Sequence, residues 1–153
     1  MNQAISLVDY VHCHHEVIRW GDMDAFGHVN NVEFFRYLES ARVEYAMTVL
    51  ANEVRAEGEN IILADLRCAF RRQLKWPGAV DIYTRTARVG RTSMALEQAM
   101  CVADTSEVAA TAETVLVWFD FHAQQPAPVP EAIRARIADY ERAEPEGVHR
   151  AKG

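Results

Sequence analysis

The hydrophobic positions of this chain change period, from three or four residues in its first third to two residues afterwards. Hydrophobic residues at three- and four-residue spacing between positions 34 and 49 predict one buried face of a helix that spans about 30–56. This face consists of Phe34, Leu38, Ala41, Tyr45 and Val49. Alternating or short apolar runs elsewhere predict strands. The predicted strands cover 12–20, 60–70, 80–89, 94–102 and 108–121, and a short charged helix is predicted at about 131–142.

The predicted long helix has recognisable ends. Asn30 is expected to cap its first turn, with Glu33 as the reciprocal partner in a capping box, and Glu57-Gly58 is expected to end it. One helix inserted between a first strand and four further strands predicts an α+β fold, in which an antiparallel sheet wraps around the helix and covers its apolar face. The 153 residues are expected to form a single domain over 1–145, with a flexible tail over 146–153.

Charge and cysteine content exclude several classes of protein. The net charge is −6, which argues against binding to nucleic acid or to an anionic membrane. No apolar run reaches the roughly 18 residues of a membrane span, and the first residues lack a signal-peptide pattern. Cys13, Cys68 and Cys101 are widely spaced and odd in number, so no disulfide framework is expected. These features together predict a cytoplasmic protein.

The segment from Asp22 to Asn31 concentrates the candidate chemistry. It places two carboxylates, a glycine, a histidine and two asparagines immediately ahead of the long helix. A helix start has unpaired N–H groups and a partial positive charge, which can stabilise a developing oxyanion. A neighbouring carboxylate can activate water or attack a carbonyl itself. The segment therefore predicts an acyl-transfer site in which Asp24 is the catalytic candidate and Asp22 holds the loop.

Four stretches of the chain resemble the hot-dog-fold acyl-CoA thioesterases of the hydroxybenzoyl-CoA thioesterase-like family. The most specific is 19–31, with its D-x-D-x-x-G-H-V-N-N core; the others are the helix segment 34–42 and the turns at 76–78 and 90–93. The resemblance implies the hot-dog fold, hydrolysis of a fatty or aromatic acyl-CoA, and no cofactor or metal besides the coenzyme A of the substrate. It also implies that two chains pair into a continuous sheet with sites at their interface, as a homodimer or a homotetramer.

The same resemblance assigns roles within the motif. Asp24 corresponds to the catalytic carboxylate, the backbone N–H of Asn31 would polarise the thioester carbonyl, and Gly27 would let the loop approach the substrate closely. His28 matches a histidine of plant-type acyl-carrier-protein thioesterases. Those enzymes carry an asparagine where this chain has Phe26.

Glu39 corresponds to a helix glutamate of the plant-type enzymes and would position water. An ordinary explanation competes with this role, because Glu39 and Arg42 are three residues apart on a helix, where ion pairs are common.

The remaining candidates would hold the two ends of an acyl-CoA. Aromatic and aliphatic residues near the helix start are expected to line or narrow an acyl channel. An arginine beside a glycine turn, with its hydroxyl neighbours, is expected to contact the phosphates, although solvated charges at strand ends explain such arginines equally well. The candidate substrate-binding residues are Phe26, Phe34, Leu38, Arg91, Thr92 and Ser93.

Several alternatives stay open at the level of sequence. Asp24 could act as a nucleophile or as a general base, and the thioester could be carried by coenzyme A or by an acyl carrier protein. A hydratase of the same fold and a non-catalytic acyl-CoA-binding module are the competing functions, and the presence of Asp24 counts against the module. His12 and His14 share one face of an extended strand but lack a third ligand, so no metal site is expected.

Overall fold

The computed structural model describes residues 5–50 and 56–148. Every predicted strand and both predicted helices are present. The elements are β1 (His12–Ile18), α1 (Asn31–Tyr45), β2 (Glu59–Phe70), β3 (Gly78–Val89), β4 (Ser93–Val102), β5 (Val108–Asp120), β6 (Gln125–Pro126) and α2 (Glu131–Tyr140). A π-helical segment, Ala46–Leu50, continues α1. Residues 51–55 of the predicted long helix lie outside the described residues, and Glu57-Gly58, where the helix is expected to end, form a turn just before β2.

The strands form one antiparallel sheet in the order β1-β3-β4-β5-β2, and the two-residue β6 pairs with the end of β5. The sheet curls around α1, whose predicted apolar face is buried: Phe34 and Leu38, for example, are 3% and 0% exposed. Each such side chain contributes about 1.5–3 kcal/mol of hydrophobic stabilisation. The chain therefore has the α+β hot-dog fold that the sequence predicts.

The core consists of two apolar clusters with polar side chains between them. One cluster, around Phe34 and Leu38, lies beneath the first half of α1. The other, around Tyr45 and Trp118, lies beneath its second half and reaches α2. The buried polar residues between the clusters are Arg42, Thr84, Thr86, Gln98 and Thr114.

The start of α1 is capped, but by a different arrangement from the one predicted. The Asn30 side chain accepts a hydrogen bond from the N–H of Val32 at 3.1 Å, which confirms Asn30 as the N-cap. The predicted capping box with Glu33 is wrong, because the N–H of Asn30 donates instead to the backbone oxygen of Asp22 at 2.9 Å. The cap is thereby tied to the preceding loop rather than to its own helix.

Asp22 fixes the loop that leads into α1. Its side chain is 7% exposed, and its Oδ2 atom accepts hydrogen bonds from the backbone N–H of Arg19 at 2.8 Å and from the hydroxyl of Tyr37 at 2.5 Å. Burial and the Asp22 carboxylate together raise the pKa of Tyr37, so its hydroxyl remains a donor. The predicted structural role of Asp22 is confirmed.

The C-terminal segment contacts the sheet as far as Val148. Beyond α2, the backbone of Glu146 forms two hydrogen bonds with β3, to Ala87 and Val89, and Val148 is 5% exposed. The first part of the predicted flexible tail is thus packed on the sheet, while 149–153 lie outside the described residues.

A buried carboxylate, Glu141, joins the end of α2 to the core. Its Oε1 atom accepts hydrogen bonds from the Tyr45 hydroxyl and from the backbone N–H of Thr86, the latter at 2.7 Å. Burial raises the pKa of Glu141, and the hydrogen bonds only partly oppose this. Glu141 therefore holds a proton more tightly in the folded than in the unfolded chain.

Tyr37→Phe is expected to lower the free energy of unfolding by about 1.5–3 kcal/mol, because the buried Asp22 carboxylate loses a donor. Urea unfolding followed by circular dichroism measures the change. Tyr140→Phe is the control: it removes the same atom from a half-buried tyrosine whose hydroxyl has no hydrogen bond within the described chain. Equal losses in the two variants would contradict the role given to the Asp22–Tyr37 bond.

Glu141→Gln is expected to make stability less dependent on pH. Because the pKa of Glu141 is raised in the folded chain, the protonated side chain contributes to the free energy of unfolding. This contribution is fully present below the ordinary pKa of 4.5 and is lost as the pH rises through the pKa of the folded state. The glutamine variant should therefore need more urea to unfold than the wild type at pH 8, and this difference should narrow towards pH 4.5. Glu131→Gln, on the same helix but with a side chain 94% exposed, should leave the pH profile unchanged.

Candidate active site

The motif loop is a tight hairpin between β1 and α1. The N–H of Asp24 donates to the His28 oxygen at 2.8 Å, and the N–H of Gly27 donates to the Asp24 oxygen at 3.1 Å. Gly27 has φ +79°, a conformation that glycine adopts without steric cost. A Cβ atom there would meet nothing within 4 Å. Conformation rather than space therefore requires glycine at this position.

The hairpin orients the Asp24 carboxylate. Its Oδ1 atom accepts hydrogen bonds from the backbone N–H groups of Phe26 at 2.8 Å and of His28 at 3.3 Å. Within the described chain, its Oδ2 atom has no hydrogen-bond partner. One carboxylate oxygen is thus held by the loop, and the other is available to a ligand.

The first turn of α1 provides an open donor next to this carboxylate. Asn30 satisfies the N–H of Val32 with its side chain and the N–H of Glu33 with its backbone oxygen. No described residue accepts a hydrogen bond from the N–H of Asn31, the first residue of the helix. This N–H lies at the positive end of the helix dipole, where negative charge is favoured.

The carboxylate and the helix start line one cavity of about 590 Å³. Phe34 and Phe70 form its apolar wall, with their rings 5.2 Å apart in an edge-to-face arrangement. Phe26 is 87% exposed and lies at the mouth of the cavity. The lining residues are Asp24, Phe26, His28, Val29, Asn31, Phe34, Phe70, Arg71, Arg72 and Gln73.

The structure therefore brings together five of the predicted site residues and places Gly27 in the loop that carries them. Two predicted helix residues lie elsewhere. Leu38 is fully buried in the core and does not line this cavity. Glu39 lies on a second cavity, and it pairs with Arg36 at 3.4 Å rather than with Arg42, so the expected Glu39–Arg42 ion pair is absent.

The second cavity is an apolar groove of about 450 Å³ between the second half of α1 and the adjoining ends of β2 and β5. Trp118 and Leu116 form its floor, and Met47 is 74% exposed along its edge. Its lining residues are Glu39, Arg42, Val43, Ala46, Met47, Leu50, Asn60, Ile61, Ile62, Leu63, Leu116 and Trp118.

Arg91, Thr92 and Ser93 lie at the opposite end of the sheet from Asp24. The motif loop is joined to the chain just before β3 by a 2.8 Å bond from Val29 N–H to the Leu74 oxygen, whereas Arg91 follows the last residue of β3. The twelve residues of β3 extend roughly 36 Å at about 3.3 Å per residue. Within one chain, these three residues and Asp24 cannot contact the same reacting group.

Sequence reasoning missed three residues that matter to these cavities: Phe70, Arg42 and Gln98. Gln98 occupies an inward position of β4, between the buried Leu96 and Met100. A polar residue at an inward position of an alternating strand is the signal that could have identified it. Phe70 carries no comparable signal, because its contact with Phe34 joins residues from distant parts of the chain.

The two histidines of β1 do face one side, as predicted, and share a carboxylate of α1. His12 Nε2 lies 3.3 Å from Glu44 Oε1, and His14 contacts both Glu44 and Glu16. Burial lowers the pKa of His12. Burial would also lower the pKa of His14, but its hydrogen bonds to the two carboxylates outweigh this and raise it. Across residues 5–50 and 56–148, no group of three or more histidine, cysteine, aspartate or glutamate side chains is arranged to hold a metal ion.

The described helices include none with the length and apolar character needed to cross a membrane.

Comparisons with known proteins agree with the fold and indicate the family. A family model described as the thioesterase-like superfamily matches residues 18–137. A thioesterase from Thermus thermophilus, solved with coenzyme A and zinc, is 32% identical; the match covers 87% of this chain and 96% of that chain with a TM-score of 0.75. A proposed thioesterase from Pseudomonas aeruginosa is also 32% identical, over 84% and 99% of the two chains, with a TM-score of 0.76.

Two curated relatives share lower similarity. An acyl-acyl carrier protein thioesterase of Arabidopsis thaliana chloroplasts is 27% identical over 134 residues, which are 82% of this chain and 68% of that protein. The YsmA protein of Bacillus subtilis is 30% identical over 79 residues; this match spans about half of each protein, 52% of this chain and 53% of the relative. Because the family model covers most of the domain and solved thioesterases share its fold, the chain belongs to the thioesterase-like superfamily and has the hot-dog fold of a thioester hydrolase.

Proposed function

We propose that this chain hydrolyses acyl-CoA thioesters, with Asp24 as the catalytic carboxylate and the N–H of Asn31 as the oxyanion donor. One observation carries the proposal: Asp24 and Asn31 line the same cavity, and neither Asp24 Oδ2 nor the Asn31 N–H has a hydrogen-bond partner in the described chain. A carboxylate and an N–H donor are the two groups that attack on a thioester carbonyl requires.

The proposed reaction begins with the thioester carbonyl oxygen accepting a hydrogen bond from the Asn31 N–H. Asp24 then either removes a proton from water as the water oxygen attacks the carbonyl carbon, or attacks that carbon itself to form a mixed anhydride that water opens. In both routes the C–S bond breaks, coenzyme A leaves as its thiol, and the acyl group leaves as a free acid. Phe34 and Phe70 would exclude bulk water from the acyl side.

The thiol carrier is proposed to be coenzyme A. The Thermus relative was solved with coenzyme A. Arg71 and Arg72 line the cavity, and guanidinium groups bind phosphate favourably, although Arg72 would have to share its 2.7 Å ion pair with Glu107. The Arabidopsis relative is named for an acyl carrier protein, so an acyl-carrier-protein thioester is the second candidate substrate, to be compared directly in the assay below.

We further propose that the working unit is a homodimer formed through β2. This strand is an unpaired edge of the sheet; none of its residues is fully buried, and Leu63 and Phe70 are 51% and 49% exposed. Exposed apolar residues of α1 and of the π-helical segment that continues it, Val43 and Met47, lie beside it. Such an edge is normally covered by another strand, and a second copy would provide one with matching surface.

Antiparallel pairing of β2 with its own copy would complete the site. It places the Phe70 end of one β2, which flanks the Asp24 cavity, beside the Asn60 end of the other, which flanks the apolar groove. The Glu39 of the second copy would then approach the Asp24 cavity. The second copy's residues 91–93 lie at that same end of its sheet, because Ser93 pairs with Val117 near the end of β5.

Asp24→Asn is expected to lower kcat by about 10²- to 10⁴-fold, because the amide can neither accept the proton of water nor attack the carbonyl. Thiol release is measured with a panel of short, long and aromatic acyl-CoAs and with the corresponding acyl-carrier-protein thioesters. Asp139→Asn, an exposed change on α2, should retain wild-type rates. If Asp24→Asn is as active as wild type, the catalytic assignment is wrong.

Leu63→Glu is expected to convert the dimer to monomers and to reduce thioester hydrolysis by at least about tenfold, because a buried unpaired charge at an interface costs several kcal/mol. Sedimentation velocity and the thiol assay measure the two effects. Val17→Glu places the same charge at a 58% exposed apolar position on β1, the other edge of the sheet, and should alter neither. A wild-type protein that is a fully active monomer would refute the proposed interface.

A further inference from the structure

The apolar groove contains one buried cation. Arg42 lines the groove and is only 8% exposed, whereas most of its neighbours there are apolar, among them Val43, Leu63 and Trp118. A buried guanidinium is unfavourable unless a counter-charge and hydrogen bonds compensate it. The groups around the Arg42 guanidinium therefore indicate what kind of ligand the groove binds.

One side of the Arg42 guanidinium is fixed by a buried amide. Its Nη1 atom donates to Gln98 Oε1 at 3.3 Å. Gln98 is itself held at 3.1 Å by each of two acceptors, the backbone oxygen of Leu38 and the hydroxyl of Thr84. Because Gln98 and Thr84 are 1% and 0% exposed, this support is rigid, and it sets the orientation of the guanidinium plane.

The other edge of the guanidinium is open. In the part of the chain that the structure describes, Nε and Nη2 of Arg42 have no acceptor, and no carboxylate lies within 4 Å of the side chain. Both nitrogens retain accessible surface, since neither is among the buried atoms that lack a partner. Glu39 also lines the groove, and its charge partly opposes the burial that lowers the pKa of Arg42, but its carboxylate forms its ion pair with the exposed Arg36.

We propose that the groove receives the distal end of an acyl chain that terminates in a carboxylate, which Arg42 binds through Nε and Nη2. These two nitrogens form one of the paired-donor edges that bind a carboxylate with two parallel hydrogen bonds. The terminal carboxylate supplies the directly hydrogen-bonded counter-charge that Arg42 does not have within the described chain, and the methylene groups of the acyl chain contact the apolar walls of the groove. Arg42 is thus a specificity-determining residue that selects ω-carboxyacyl groups over simple acyl groups.

This inference rests on the proposed function, because the groove of one copy would adjoin the Asp24 cavity of the other. It can nevertheless be tested by binding alone. The ligands are non-hydrolysable thioether analogues of acyl-CoAs in length-matched pairs, one member with a methyl end and one with a carboxylate end: hexanoyl and adipoyl, octanoyl and suberoyl, decanoyl and sebacoyl. Isothermal titration calorimetry gives the Kd of each analogue for the wild type, Arg42→Met, Arg42→Lys and Met47→Ala.

In the wild type, the carboxylate analogue of the best-fitting length is expected to bind at least about tenfold more tightly than its methyl partner. Arg42→Met should abolish or reverse this preference while still binding the methyl analogues, which also shows that the variant is folded. Arg42→Lys should lose most of the preference, because an ammonium lacks the paired-donor edge. Met47→Ala should weaken both members of a pair equally.

Equal affinity of the wild type for both members of every pair, or an unchanged preference in Arg42→Met, would overturn the proposal. Equal affinity together with Asp24-dependent thiol release from simple acyl-CoAs would overturn this inference and leave the thioesterase proposal intact. Failure of all analogues to bind, with no thiol release, would overturn both.

Discussion

The candidate site depends on the way Asp22 joins the end of β1 to the start of α1. Its carboxylate accepts hydrogen bonds from the Arg19 N–H and the Tyr37 hydroxyl, and its backbone oxygen accepts one from the Asn30 N–H. These three bonds fix both ends of the hairpin that carries Asp24 and hold the cap residue of the helix. Asn30 donates its own N–H to Asp22 and accepts hydrogen bonds from the N–H groups of Val32 and Glu33. The N–H of Asn31 is therefore the open donor. The positions of the Asp24 carboxylate and of the open Asn31 N–H, the proposed oxyanion donor, therefore both depend on the buried Asp22.

The second constraint is the separation of the two cavities. Asp24 lies at one end of the sheet, whereas the apolar groove begins at the other end of β2, and Glu39 belongs to the groove. A single chain thus holds the proposed catalytic groups apart from the apolar groove. The exposed edge strand β2 lies between them, and in the proposed dimer a two-fold axis through β2 would exchange the two ends of this strand. Two identical and complete sites would result from two incomplete halves.

Local patterns in the sequence were sufficient to predict most of the fold. The change of period gave the order of the elements, and the residue types ahead of the helix gave Asn30, Asp22 and the cavity around Asp24. The failures concern partners that no local pattern specifies. Glu39 pairs with Arg36 instead of Arg42 because Arg42 turns inward to Gln98, a residue distant in sequence. Likewise, the tail at Glu146 is ordered by the edge groups of β3 rather than by its own composition. Contacts across the sheet, not propensities, decide these cases.

The polar residues between the two apolar clusters give the core its register. The helix α1 and the strands β3, β4 and β5 each have residues in both clusters, and each has a buried polar residue between them. These residues are Arg42 on α1, Thr84 and Thr86 on β3, Gln98 on β4, and Thr114 on β5. Arg42 meets Gln98, and Tyr45, one turn further along the helix, meets Thr86 and Glu141. If α1 slid along the sheet by one turn, about 5.4 Å, the Arg42 guanidinium and the Tyr45 hydroxyl would face apolar side chains. Buried polar groups would then be left unpaired, which costs roughly 1–3 kcal/mol of stability for each neutral group and more for the charged one. A core held only by apolar contacts would tolerate this shift far better than a core that contains these polar pairs. The polar layer therefore sets the axial position of α1, and with it the distance between the helix start at Asn31 and the groove at Arg42.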